Sequence, residues 1–342
     1  MMKTLEASRL TLRPFTPDDL DAVHSYACVP ENILFMEWGP NTREDTQAFL
    51  TRSIAAAEEV PCQNYQYAAV LHDTGRLIGA CNLALSGDEA EIGWILHRDF
   101  WKQGYGPEMG EAMLRLGFEE LALHRIAARC DADNYGSYRV MEKIGMRREG
   151  LRIEGRSGSK LSGQKYGDEL TYAILKDEWD IRKEIGYYNA LPVNFDGFID
   201  VPQLSDGEIH LVCTAKKPAV PEKKFVPAYH FAVCRAGETI GDINLRIGYT
   251  DSLYYGGQIG YNIDEKYRGN GFAVTACRLL TPVAKAHGMK KLLITNIHTN
   301  TASRRVCEKL GARHVRLARI PQWHDMYKEG KRIVNIFEWD AE

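Results

Sequence analysis

The stretch that decides the fold reads Arg268-Gly269-Asn270-Gly271-Phe272-Ala273. A strand-like run, Ile259 to Ile263, precedes it, and a helix-like segment follows. Glycines at 269 and 271 let the backbone turn so that successive N–H groups point at one place. The helix that opens there adds the positive end of its dipole, which makes a cradle for a pyrophosphate group. A glycine-rich turn alone also serves as a plain structural turn. The context sets this one apart: a strand before it, a helix after it, then another strand and a helix that opens on Asn-x-x-Ser.

Working outward, the same blocks occur twice. Ile78-Gly79-Ala80-Cys81-Asn82-Leu83 recurs as Ile240-Gly241-Asp242-Ile243-Asn244-Leu245, and Glu91-Ile92-Gly93-Trp94 as Gln258-Ile259-Gly260-Tyr261. Gly104-Tyr105-Gly106 recurs as Gly271-Phe272-Ala273. The longest block runs from Asn134 to Gly145 and returns from Asn300 to Gly311. Four blocks in one order at offsets of 162–167 residues describe a duplicated domain.

Pattern predicts the elements of each copy. In the first, strands are expected at 9–14, 67–71, 77–85, 91–96 and 125–130, with Thr16-Pro17 starting a helix after the first strand. Apolar residues at Met109, Met113, Leu114, Leu116, Phe118 and Leu121 predict a helix over 107–121. Asn134 caps a short helix that stops at Gly145. In the second copy Pro282 lies inside the helix expected from 272 to 286, which predicts a kink near Arg278.

The hexapeptide 268–273 meets in full the acyl-coenzyme A signature of the GNAT superfamily: Arg or Gln, two residues, Gly, one residue, Gly or Ala. The chain resembles that superfamily over nearly its whole length, twice. Leu10-Thr11-Leu12-Arg13-Pro14-Phe15 makes the first copy most similar to the ribosomal-protein-alanine and related N-acetyltransferases. The resemblance implies an α+β fold of two modules, each a mixed, mostly antiparallel central sheet flanked by helices. The expected boundaries are 1–181, a linker at 182–192, and 193–342. It also implies acetyl-CoA as co-substrate, no metal, and direct attack by a primary amine in a ternary complex. The acceptor is a peptide or protein N-terminus or a small-molecule amine. The alternative is one catalytic module beside a non-catalytic acetyl-CoA sensor or scaffold.

The implied coenzyme contacts are Gln103, Gly104, Tyr105 and Gly106 in the first cradle and Arg268, Gly269, Asn270, Gly271, Phe272 and Ala273 in the second. Leu96 and Ile263, five residues before Trp101 and Arg268, are the matching positions on the splayed strands. Asn134 and Asn300 either touch the coenzyme or simply cap helices. The first cradle departs from the signature: Trp101 stands where Arg or Gln is usual, and Pro107 has no N–H. That proline is either a harmless helix starter or a lost phosphate donor. For catalysis, the resemblance implies Glu91 as the carboxylate that takes the amine's proton, the alternative being a surface charge on an edge strand, while Gln258 at the matching site cannot act as a base. Ser137 and Ser303 could hydrogen-bond the leaving sulfur, since the family's tyrosine acid is replaced by Met141 and Cys307. His298 is an alternative base in the second copy, and His324-Asp325 is ambiguous.

The second copy has only about 14 residues between its first two strands, against more than 50 in the first. The longer stretch has room for two helices, which the resemblance implies build much of the acceptor wall, so the second copy is expected to lack them. An open apolar sheet face is expected there, shielded by packing of the two modules on each other. The net charge of −3 divides into −9 for residues 1–180 (20 basic, 29 acidic) and +6 for 181–342 (23 basic, 17 acidic). The acidic half suits a cationic amine and the basic half a polyanionic coenzyme. No basic cluster interleaved with aromatics points to nucleic acid, and no apolar run approaches the roughly 20 residues that cross a membrane. The eight cysteines form no CxxC pair, so free thiols and neither zinc nor a redox motif are expected. With no signal-peptide core at the start, a cytoplasmic location is expected.

Overall fold

Two short polar boxes start the helices of the first half. Thr16 and Asp19 bond each other's backbone reciprocally, and Thr42 and Asp45 do the same. Each box satisfies donors that a helix start leaves unpaired. The computed structural model describes residues 2–341 apart from 160 and 162, and the chain divides between Asp180 and Ile181 into two units.

In the first unit β1 (Leu5–Glu6) and β2 (Leu10–Pro14) precede α1 (Leu20–Ala27), α2 (Pro30–Ile33) and α3 (Arg43–Glu58). Then come β3 (Asn64–Leu71), β4 (Leu77–Ser86), β5 (Glu89–Leu96), α4 (Tyr105–Arg115), β6 (Arg125–Asp131), α5 (Tyr135–Lys143), β7 (Arg147–Ser157) and β8 (Tyr166–Leu175). The eight strands form one sheet in the order β1-β2-β3-β4-β5-β6-β8-β7, antiparallel except between β5 and β6. One face packs on α4 and α5 through Met109, Met113, Met141 and Ile144. The other is covered by α1 and α3, whose Val23, Tyr26 and Leu50 close over Ala68, Leu77 and Ala80. Leu50 is fully buried there, a contribution of about 2 kcal/mol.

A helix, α6 (Lys176–Asn189), runs across the division. The stretch expected as a linker, 182–192, is therefore helical as far as Asn189. Its residues Ile181, Ile185 and Tyr188 fall on one helical face and pack in a core with Tyr254 and Ile336 of the second unit.

The second unit repeats the strands in the same order. These are β9 (Leu204–Ser205), β10 (His210–Lys217), β11 (Ala228–Arg235), β12 (Glu238–Arg246), α7 (Asp251–Gly256) and β13 (Ile259–Ile263). After them follow α8 (Phe272–Leu279), α9 (Thr281–Ala286), β14 (Lys291–Ile297), α10 (Thr301–Leu310), β15 (Arg313–Arg319), α11 (Asp325–Lys328) and β16 (Ile333–Asp340). Here the strands part into two sheets, β13-β12-β11-β10-β9 and β14-β16-β15. The helix expected over 272–286 breaks at Leu280, two residues before Pro282, which starts α9 without needing a donor.

Between β10 and β11 there is only a short turn at Pro221–Lys223, so the wall helices are indeed absent. The expected apolar face is not there either. The positions that α1 and α3 cover in the first unit, Leu77, Ala80 and Ile95, correspond to Thr239, Asp242 and Asn262, all exposed. At these three positions polar side chains stand where the first unit has apolar ones.

Candidate active site

The two cradles share one backbone. Trp101 has φ −67°, ψ 155° and Arg268 has −65°, 157°. Lys102 and Gly269 follow in the left-handed region at φ 60° and 86°. Gly104 and Gly271 then cap α4 and α8 at φ 89° and 85°. A Cβ on Gly271 would meet nothing within 4 Å, so this cradle opens outward. Among the described residues, no protein acceptor takes the backbone N–H groups of 102–106 or of 269–273. Each helix start thus offers five N–H donors to an anion.

At both departures the first cradle keeps the backbone of the second. The Trp101 indole N–H donates to the Leu96 carbonyl at 2.9 Å, and the Arg268 Nε–H donates to the matching Ile263 carbonyl at 2.8 Å. Pro107 corresponds to Val274, whose N–H bonds to the Gly271 carbonyl at 2.9 Å and does not face the cradle. The donor that proline lacks is one the intact cradle spends internally. Each cradle also carries an arginine that sequence inspection passed over. Arg9 stacks over Tyr105 at 4.2 Å and donates to the Gln103 carbonyl, while Arg235 lies 5.2 Å over Phe272. Both sit on neighbouring strand ends, remote in sequence from the glycines.

Beside each cradle the sheet opens. β5 and β6 pair only from Glu89–Arg125 to Glu91–Ala127, after which they diverge. In the second unit Gln258 marks the same point. Its backbone N–H bonds Leu293 at 2.8 Å, and its side-chain oxygen accepts from the Leu293 N–H at 2.6 Å. Fully buried, Gln258 is a staple at the parting of two sheets.

Glu91, at the parting in the first unit, is gripped by Arg129 through two hydrogen bonds of 2.9 and 3.1 Å. That contact is the main cause holding the Arg129 guanidinium above its ordinary range. Arg129 also approaches Glu169 at 3.5 Å, and Glu169 bonds Arg152 at 2.7 Å. Asn134 and Asn300 are caps: each side-chain oxygen accepts from the N–H of Ser137 or Ser303 at 3.0 Å. Ser137 lies against Cys130, whose thiol burial pushes up to about 11 despite that hydrogen bond. Ser303 Oγ is 2.9 Å from the hydroxyl of Tyr261, a β13 residue. Met141 and Cys307 are core residues. His298 is exposed. His324 is buried and structural: Nδ1 accepts from Met326 N–H and Nε2 lies 3.0 Å from the Ser252 carbonyl.

Residues 9–147 and 203–313 match the sequence model of the Acetyltransferase (GNAT) domain. The chain belongs to the GNAT acetyltransferase family. The uncharacterized N-acetyltransferase YnaD of Bacillus subtilis is 35% identical over 178 residues, covering 52% of this chain and 99% of YnaD. The uncharacterized N-acetyltransferase p20 of Bacillus licheniformis is 29% identical over 181 residues, covering 52% of this chain and 99% of its own length. A GNAT-family acetyltransferase from Bacillus anthracis, known by crystal structure, is 35% identical with a TM-score of 0.45, and the match covers 51% and 99% of the two chains. Each of these relatives spans about half of this GNAT chain. The protein is an acetyltransferase, and GNAT acetyltransferases use acetyl-CoA as co-substrate. No helix among the described residues is long and apolar enough to cross a membrane.

The GNAT cradle was legible from glycine spacing. Arg129 and Tyr261 were not singled out, although Arg129 lies on the strand next to Glu91 and Tyr261 occupies the position of Trp94.

Proposed function

We propose that the chain is an acetyl-CoA-dependent N-acetyltransferase whose first unit transfers the acetyl group to a primary amine, and whose second unit holds acetyl-CoA without transferring it. The observation that carries this is the pair of matched cradles, one beside an exposed carboxylate and the other beside a buried amide. Bound acetyl-CoA supplies a thioester whose carbonyl a neutral amine attacks. The residues of this chain position it and handle protons.

In each cradle the N–H groups of 102–106 and 269–273 hold pyrophosphate. Leu96 and Ile263 flank the slot left where the strands part, and Asn134 and Asn300 border it with their free amide ends. In an extended strand a residue's N–H and C=O face the same edge. The Leu96 carbonyl faces Trp101 on the side β6 has left, so its N–H faces the slot and can polarise the acetyl oxygen. Glu91, exposed at the parting point, takes the proton of the amine directly or through water, and Arg129 fixes its orientation. Ser137 lies at the start of α5, where its hydroxyl can meet the leaving sulfur. In the second unit Ser303 and Tyr261 bond each other at the matching place, while Gln258 cannot accept a proton. The acceptor is a peptide N-terminus or a small amine, and the carboxylates Glu91, Asp131 and Glu169 suit a cationic one.

Calorimetry with acetyl-CoA should count two coenzymes per chain, and mass spectrometry over an amine panel should find acetylated product. One coenzyme per chain, with turnover surviving Glu91→Gln at every pH, would reject this division of labour.

A further inference from the structure

The outer face of the second unit's five-stranded sheet, where wall helices are missing, lacks the carboxylate–arginine pairs of its counterpart. In the first unit three carboxylates gather near the parting strands: Glu91, Asp131 and Glu169. Each is paired with an arginine: Arg129 contacts the first and third, Arg152 the third at 2.7 Å, and Arg156 reaches Asp131 at 3.2 Å. By the repeat and the strand registers these acids correspond to Gln258, Ile297 and Val334, none of them charged. An arginine appears instead: Arg246 stands at the place of Ala84, opposite Gln258, whose carbonyl accepts its N–H at 2.9 Å.

Arg246 is half-buried, and its Nη1 donates to the carbonyls of Gly256 and Gly257 at 3.1 and 2.8 Å. Those bonds fix the guanidinium at the C-terminal end of α7. Among the described residues it has no carboxylate partner, and burial holds its proton affinity below the ordinary value. Guanidinium forks match carboxylate and phosphate geometry, and Nε and Nη2 remain for that purpose.

A second cation, Lys217, and an imidazole, His230, share the face. Registers of Lys217 with Ala228 and of Ala228 with Arg246 put Lys217 and Arg246 in one cross-strand row. His230 lies in the next row, opposite Asn244. Burial first, then Lys217 and Arg246, hold the His230 imidazole below its ordinary range, with Asp242 opposing them. Asp242 is four residues from Arg246 along β12, roughly 13 Å away. Lys217 and Arg246 thus share a row that holds no carboxylate, with an imidazole beside them that a bound anion would help to protonate.

We propose that this face binds an oxyanionic ligand, a carboxylate or phosphate group, held by the Arg246 fork with Lys217 and His230 beside it. The site is separate from the coenzyme cradle and independent of which unit transfers acetyl. Binding strengthens as pH falls through the titration of His230, because the protonated imidazole adds a third positive charge beside Lys217 and Arg246.

The test uses the full chain, with succinate and inorganic phosphate titrated separately while the His230 ring proton is followed by NMR, assigned through His230→Gln. At least one anion should give a saturable shift and raise the His230 pKa; which binds tighter identifies the group. Arg246→Met should weaken that binding at least about tenfold, and exposed Lys217→Gln about threefold. Gly271→Asp, which blocks the cradle, should leave it unchanged. No saturable shift with either anion overturns the proposal. So does equal affinity in folded Arg246→Met, or, should that variant not fold, equal affinity in Lys217→Gln. A response abolished by Gly271→Asp would assign the anion to the cradle and likewise overturn it.

Discussion

Trp101 is tied to Leu96 by a single hydrogen bond, indole N–H to main-chain carbonyl, 2.9 Å long. Arg268 makes the same bond to Ile263 by different chemistry. The task that both copies share at this position is to close the loop that leads into the cradle, and either a planar guanidinium or an indole performs it. Trp101→Phe keeps the ring and removes the donor. Coenzyme affinity of the first unit is expected to fall about fivefold, the worth of one hydrogen bond. Trp101→Arg should restore it. Calorimetry on a chain whose second cradle is blocked by Gly271→Asp would show both.

Pro107→Ala should change that affinity less than twofold. The N–H it restores corresponds to that of Val274, which is already spent on Gly271. A large gain in the same calorimetric titration would mean that the donor reaches the phosphate after all.

Glu91→Gln should lower turnover most near neutral pH, where the amine acceptor is largely protonated, and least at high pH, by about tenfold to a hundredfold at the neutral end. Arg129→Gln leaves the carboxylate in place but frees its orientation. Its effect should be smaller and should fall on kcat more than on KM. A pH–rate profile of each variant decides.

How much of this was legible beforehand depends on the distance between partners. Glycine spacing, Asn134 and Asn300 as caps, and the break before Pro282 are local signals, and their elements lie where the pattern puts them. Trp101 with Leu96 is also local, five residues apart, yet it eluded prediction because hydrogen-bond equivalence is invisible to residue type. The polar outer face could have been found by setting Leu77, Ala80 and Ile95 against Thr239, Asp242 and Asn262. Deleting helices signals lost burial, and only that comparison shows the loss already compensated. Glu91 with Arg129 spans 38 residues and depends on β5 and β6 lying side by side.

Acid should loosen the second unit through Glu338. Burial alone would raise its carboxyl, but hydrogen bonds from Lys291, Arg313 and Tyr188 outweigh that and hold it below the ordinary glutamate range. A depressed folded value means the stabilisation is complete above about pH 4.3, the unfolded value, and is lost as pH falls through the folded one. Glu338→Gln should cost about 2–3 kcal/mol at pH 7 and flatten that acid dependence. Denaturant unfolding at pH 7 and pH 3.5 would measure both.

The exchange of Leu77, Ala80 and Ile95 for Thr239, Asp242 and Asn262 also acts as a one-way ratchet between the copies. Were a helical insertion like 15–63 transplanted between β10 and β11, it would settle on a carboxylate and an amide with no partners. Burying Asp242 unpaired would cost several kcal/mol, more than a helix residue such as Leu50 returns. The two halves of this gene product can therefore no longer trade their acceptor walls by a single recombination. The surface has to be rewritten first.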